Sequence, residues 1–271
     1  MAGGLYSRSR GLFLCCWLAG SLLVGFVVLP LVALGLTPSA ASLLEAARAP
    51  ELRAALWLSL LGSLLTALVA ALFGVPLAYG LARSRFRGKS AVAALIDLPL
   101  AVPHTVAGIA LLMVFGRQGL LGAPAAALFG LRFWGTLWGI VAAMLFVSVP
   151  YTVNAARIGF EAVDPRLEQV ARTLGLGAWA AWLCVSLPLA RRGILTGLTL
   201  TFARAISEFG AVVILVYYPM TAPVRIYTLF LRYGLDEAAA AAVLLLVVCL
   251  ALFILFRALA YGRAVDAGAG R

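Results

Sequence analysis

Charge is what this chain has least of. Only 11% of its 271 residues are Asp, Glu, Lys or Arg, while 64% are hydrophobic and mean hydropathy is +1.08. No soluble domain of that size buries so much apolar surface, so a soluble fold is excluded. Cysteine is scarce as well. Cys15, Cys16, Cys184 and Cys249 lie in or beside apolar segments, and none shows metal-ligand spacing. They read as small apolar fillers, and no metal site is expected. The long apolar runs lack the polar–apolar alternation of barrel strands. A nucleotide-binding loop is missing too. Gly88-Lys89-Ser90 is a fragment of one, but Arg83 stands where the motif needs its first glycine.

What is present is apolar length. Six segments, at about 12–36, 55–82, 91–115, 135–156, 193–217 and 238–261, are each long enough to cross a bilayer. Spanning backbone must satisfy its own hydrogen bonds, so these are helices. The expected fold class is an all-α polytopic membrane protein with six transmembrane helices. The first segment follows Arg8 and Arg10 as a signal peptide would. It is too long for such an apolar region and five spans follow it, so it reads as an uncleaved span. One membrane domain, 12–261, is expected between tails 1–11 and 262–271.

The net charge of +11 could suggest a nucleic-acid partner, but its distribution argues against one. With the N-terminus inside, the inner segments hold Arg8, Arg10, Arg83, Arg85, Arg87, Lys89, Arg157, Arg166, Arg172, Arg191, Arg192, Arg257, Arg263 and Arg271. The outer ones hold Arg48, Arg53, Arg117, Arg132, Arg225 and Arg232, and Arg204 lies within a span. That asymmetry is the positive-inside signature of orientation in lipid, and it places both termini in the cytoplasm. Trp57, Trp134 and Trp138, near the starts of spans, read as interfacial anchors.

The inner loop 157–192 carries the most informative run, 164–188, DPRLEQVARTLGLGAWAAWLCVSLP. Asp164 can cap a helix whose first turn suits Pro165. Leu167, Val170, Ala171 and Leu174 repeat at helical spacing and form one apolar stripe. Arg166, Glu168, Gln169, Arg172 and Thr173 fill the other face. Gly175 and Gly177 end that helix, and a second short one, 178–187, should stop at Pro188. Trp179 and Trp182 suit a helix half-sunk in the inner headgroup layer. Such a compact helical pair either docks a partner or lies as a connecting loop on lipid.

Polar groups inside spans are expensive and each demands an account. In the third span, Pro99 and Pro103 leave backbone groups without helical partners, beside Asp97, His104 and Thr105. Irregular backbone of that kind is tolerated where it lines a cavity, and freed N–H groups can meet an anion. The alternative is a kinked helix whose His104 bonds a neighbouring carbonyl. In the fifth span Arg204 and Glu208 are four apart and can pair on one helical face. Ala203, Ser207 and Ala211 make a small-residue stripe beside them, and Gly193 and Gly197 begin another. The pair sits either at an interface or water-filled path, or as a lock between two helices.

The loop resembles the cytoplasmic coupling loop of ABC importer permeases, on Gln169-Val170-Ala171, Gly175 and Leu187-Pro188. It departs from that pattern at Gln169, where the family has Glu, and at Val170, where it has Ala. Glu168 stands one position before the missing acid. Three further runs, 103–112, 206–211 and 217–223, resemble the molybdate/tungstate importer permeases, with the tungstate-type branch nearest. The resemblance covers the chain from about Leu52 to the sixth span. It implies the type I importer fold, with Glu168, Gln169, Val170, Ala171, Arg172, Thr173, Leu174, Gly175 and Pro188 coupling to an ATPase. It also implies a homodimer, two ATPase subunits on the cytoplasmic side and an extracytoplasmic oxyanion-binding protein. ATP and magnesium would be bound by the ATPase, with no cofactor and no catalytic residue in this chain. Pro103, His104, Thr105, Arg204, Ser207 and Glu208 are the candidate path residues. Rival readings are a sulfate or thiosulfate permease, a secondary transporter relaying protons through Asp97, His104 and Glu208, and a membrane scaffold that only recruits a partner.

Overall fold

The structure is a computed structural model that describes the backbone of residues 3–261 and the side chains of residues 12–255. Arg8, Arg10, Arg257, Arg263 and Arg271, counted above for orientation, lie outside the described side chains, as do the expected tails 1–11 and 262–271. The first helix, α1, is Gly3–Leu36, so helix begins within the segment expected as a tail. A short outer helix, α2 (Ala40–Arg48), is capped by Ser39, whose hydroxyl accepts from the Ser42 N–H at 3.1 Å.

Helix α3 (Pro50–Val69) runs through a π turn, Ala70–Gly74, into α4 (Val75–Arg83), a 34-residue apolar rod. The wide turn sits just before Pro76, where the ring lacks an N–H and an ordinary helix would leave a carbonyl unpaired. Next come α5 (Lys89–Ala101) and α6 (His104–Phe115), bent by 113° at Val102-Pro103. The bend is the irregular backbone that Pro103 allows in the third span, sharper than a kinked helix. An outer helix, α7 (Gly122–Phe129), then leads to the central helix α8 (Leu137–Glu161).

The inner loop holds α9 (Pro165–Thr173), α10 (Ala178–Ala181), a second π turn, Trp182–Ser186, and α11 (Leu187–Leu189). Pro188 does not stop this second helix as expected. The same device recurs as at Pro76: a π turn just upstream takes up the missing donor, and the helix continues to Leu189. The chain then turns by 72° into α12 (Arg191–Ile206). The expected fifth span is not one helix either. It breaks at 207–209 before α13 (Gly210–Leu215). An outer α14 (Ala222–Tyr233) and the last span α15 (Leu235–Tyr261) complete the chain. Among the described residues four helices are long and apolar enough to cross a membrane, or six if each bent pair is one span.

Helix α8 organises the packing. Ile140, Ala143, Met144 and Val147 meet α6, α12 and α13, while Val153, Ala156 and Phe160 meet α4 and the start of α12. Apolar burial alone does not hold helices together in lipid, so close contact must. The α8–α12 crossing supplies it with glycines. A Cβ on Gly193 would come within 2.7 Å of the Gly159 Cα, and one on Gly197 within 3.0 Å of the Thr152 Cα. The Thr152 and Thr201 hydroxyls, 2.6 Å apart, tie the same crossing, and Thr201 donates to the Ser148 carbonyl. By contrast Leu12–Leu36 has none of its window buried and lies outside the packed core, against α15.

Candidate functional site

Two places collect polar groups: the inner loop and the facing breaks of the third and fifth spans. In the loop, the Asp164 carboxylate accepts from the Arg166 N–H at 2.9 Å, with Pro165 at the first helical position. The far end of α9 is closed by paired bonds, Leu176 N–H to Ala171 C=O at 3.1 Å and Gly175 N–H to Arg172 C=O at 3.0 Å. That closure needs a left-handed residue just past the helix, and Gly175 supplies it at φ +96°. The turn read from glycine in the sequence is thus a defined stop.

Glu168 fixes the loop to the second span. Its Oε1 accepts from Arg83 Nε at 2.8 Å and its Oε2 from the Tyr79 hydroxyl at 2.8 Å. Arg83 also donates to the Val163 carbonyl at 2.9 Å, just before α9 begins. Burial pushes the Glu168 carboxyl up, but Ser186, Tyr79 and Arg83 together bring it below its ordinary 4.5. Ser186 faces the group without meeting strict hydrogen-bond geometry, so the direct contacts are those of Tyr79 and Arg83. Tyr79 also packs edge-on against Phe160 and near Trp182.

This strap corrects one expectation. Glu168 does not present itself outward beside Gln169; it turns into the protein. The apolar stripe is left largely outward: Leu167, Val170 and Leu174 are 47%, 56% and 77% exposed, and of the four only Ala171 is buried. The physical reason is that Glu168 and Ala171 share a face, and the ion pair at that face sets the roll of α9. Gln169, Arg172, Thr173, Gly175 and Pro188 are exposed with the stripe. Tyr79 and Arg83 escaped the sequence reading. Their spacing of four at the polar end of an apolar span was the available signal.

The second place is built by close approach of two breaks. A Cβ on Gly210 would come within 2.7 Å of the His104 Cβ, and one on Gly108 within 3.0 Å of the Ala211 Cα. Glycine at both positions therefore lets α6 and α13 touch. Arg204 lies in the last turn of α12, and its Nη2 lies 2.6 Å from Glu208 Oε2. The same Nη2 lies against the His104 ring, 3.0 Å from Nδ1 and 2.8 Å from Nε2. Glu208 is 1% exposed, and its Oε1 accepts from the Ala211 N–H at 2.8 Å, which caps α13. The His104 Nδ1 lies 3.4 Å from Glu208 Oε2.

The expected helical Arg204–Glu208 pair is therefore present, but Glu208 stands in the break instead of inside a helix. Ser207 joins through Arg204 Nη1 at 3.4 Å and donates to the Arg204 carbonyl at 3.0 Å. Pro103 caps α6 through its carbonyl, which accepts from the Ala107 N–H, and Thr105 is exposed beside it. Neither side chain enters the polar cluster. The small-residue stripe of the sequence reading divides at the break: Ala203 and Ser207 face α15, and Ala211 faces Gly108. Asp97 is engaged elsewhere, its Oδ1 accepting from Asn154 Nδ2 at 2.6 Å. It does not join His104 and Glu208 in a chain of proton donors and acceptors. Among the described residues no group of His, Cys, Asp and Glu could hold a metal ion.

Residues 70–264 match the binding-protein-dependent transport system inner membrane component. This chain belongs to that family. The molybdate/tungstate transport system permease protein WtpB of Thermococcus kodakarensis is 45% identical over 240 residues, 88% of this chain and 92% of that protein. The molybdenum transport system permease protein ModB of Escherichia coli is 40% identical over 195 residues, 70% of this chain and 85% of that one. A bacterial ABC transporter that imports the acidic polysaccharide alginate has a chain of the same fold. The TM-score is 0.74 at 17% identity, covering 94% of this chain and 97% of that one. The chain therefore has the all-α type I importer fold and is a transport subunit.

Proposed function

We propose that this inner membrane component forms a homodimer that imports a tetrahedral oxyanion of the molybdate/tungstate class. In this reading an extracytoplasmic binding protein delivers the anion, and two separate ATPase subunits, which hold ATP and magnesium, drive it inward. The observation that carries the coupling half is the exposed stripe Leu167, Val170 and Leu174 on a helix strapped from behind by Arg83 and Tyr79. A rigid strap lets force on the outer face of α9 reach the second span, where a freely hinged loop would dissipate it. The relatives' names support the cargo class. The chemistry at the breaks agrees with it: Arg204 and His104 are brought together beside the helix start of α6.

In this reading Pro103, His104, Thr105, Arg204, Ser207 and Glu208 flank the path. Glu208 neutralises Arg204 while no anion passes, so the path does not hold its cargo tightly and release stays fast. ATP-driven closure of the ATPases draws the two α9 helices together and rocks the subunits between inward-open and outward-open forms. The test is uptake by the assembled transporter in proteoliposomes, read as molybdate, tungstate and sulfate accumulated with ATP inside the ATPase compartment. Ala171→Pro, which breaks α9, should abolish uptake while ATP hydrolysis persists. Uptake by the permease without its ATPase would support the gradient-driven rival, and accumulation of sulfate alone would move the cargo to that anion. Failure of all three anions to cross would leave only a recruiting scaffold.

A further inference from the structure

Behind the second loop helix lies a crevice of about 570 Å³. Its walls include Leu72 and Pro76 around the first π turn, Trp179 and Trp182 of the loop, and Arg191 and Leu195 of α12. Most of that lining is apolar and open to the side of the bundle: Leu72, Trp179 and Leu195 are 66%, 75% and 44% exposed. Arg191 is the charged group of that lining, and it and its neighbour Arg192 are exposed and have no ion-pair partner among the described residues. They open α12, the positive end of a helix dipole and the unfavourable end for cations, with no acidic residue and no capping side chain there.

We propose that this crevice binds one anionic phospholipid of the leaflet on the coupling-loop side. The headgroup phosphate meets Arg191, and an acyl chain lies along Leu72, Pro76 and Leu195. The charge complementarity selects the occupant. Unpaired arginines at a helix N-terminus call for an anion, the interfacial tryptophans place the site at headgroup depth, and the apolar wall calls for a chain attached to that anion. A lipid seated there contacts the second span and the coupling loop at once. It would therefore brace the same joint that Glu168 straps.

The full-length chain, purified in mild detergent, is titrated with phosphatidylglycerol and with phosphatidylcholine, and bound lipid is counted by native mass spectrometry. Phosphatidylglycerol should bind with one preferred site and phosphatidylcholine should not. Arg191→Gln should weaken that site about fivefold, the worth of one interfacial arginine, and Arg191→Lys should restore most of it. Leu72→Trp, which fills the crevice without touching charge, should also empty it, while Arg117→Gln on the outer side should leave it unchanged. Equal binding of both lipids, or Arg191→Gln and Leu72→Trp binding like the parent, would overturn the proposal. So would displacement of the lipid by free glycerol phosphate, which would make this a soluble-anion site, or a change of the crevice variants from dimer to monomer, which would make it a subunit interface.

Discussion

Arg83 and Arg204 each meet a glutamate, at 2.8 and 2.6 Å, yet the two pairs differ in every other respect. Arg83 and Glu168 come from elements 85 residues apart and sit where the second span ends, both about 15% exposed. Tyr79 and the Val163 carbonyl complete their hydrogen bonds. That pair is a joint between bodies. Arg204 and Glu208 are four apart, and Glu208 is 1% exposed. Glu208 also caps α13, while Arg204 is shared with His104. That pair neutralises a charge within a broken span. The lesson is that one kind of contact serves mechanics where it bridges long sequence separation, and desolvation where it is local and deep.

The contrast can be broken by substitution, starting with the deep pair. Glu208→Ala leaves Arg204 without its carboxylate and uncaps α13, so it should cost about 3–5 kcal/mol, the scale for removing one partner of a buried pair. Arg204→Met combined with Glu208→Gln should recover much of that loss. Thermal melting of the purified protein in detergent reads both, and a double variant as unstable as Glu208→Ala would refute the charge-neutralising role. Gly193→Val comes next. Its added Cβ lies 2.7 Å from the Gly159 Cα, so the α8–α12 crossing must open at a cost of about 1–3 kcal/mol, checked by the same melt.

Glu168→Gln should lower stability less, by about 1 kcal/mol, because the hydrogen bonds partly survive while the ion pair is lost. Its effect should show in coupling instead: more ATP hydrolysed per anion accumulated in proteoliposomes. An unchanged ratio would reduce the strap to mere packing. His104→Gln, at a half-exposed position, should leave the melting temperature nearly unmoved and alter the uptake rate several-fold. The smallest effect is that of pH. Glu168 is held below its ordinary 4.5, so its stabilising contribution is complete above that value and disappears as pH falls through the lowered one. Hydrogen exchange of the α9 backbone should therefore accelerate in that acid range in the parent and not in Glu168→Gln.

Much of this was legible in the sequence because its signals are local. Apolar length located helical spans, and Asp164, Pro165 and Gly175 marked the ends of α9, each through backbone chemistry that involves a few neighbours. Arg204 and Glu208 were readable as a pair for the same reason. The breaks were less readable. Pro103 announced one, but the other, at 207–209, has no proline and depends on Glu208 capping α13. Pro188 looked like a helix breaker, and the π turns before it and before Pro76 leave no mark in composition. Residues 1–2 and 262–271 lie outside what the structure describes.

By itself the sequence determined that this chain is a bundle of membrane helices, how its charges orient it, and where a short amphipathic helix interrupts it. Those properties follow from hydropathy and from turn chemistry, which act over a few residues. Only the tertiary structure decided which face of α9 looks outward, that His104 meets Arg204 across 100 residues of chain, and that Asp97 belongs to Asn154. A helix has no preferred roll until something grips one side of it. Here the Glu168 carboxylate and the glycines at helix crossings do the gripping, and both depend on partners far away in the chain.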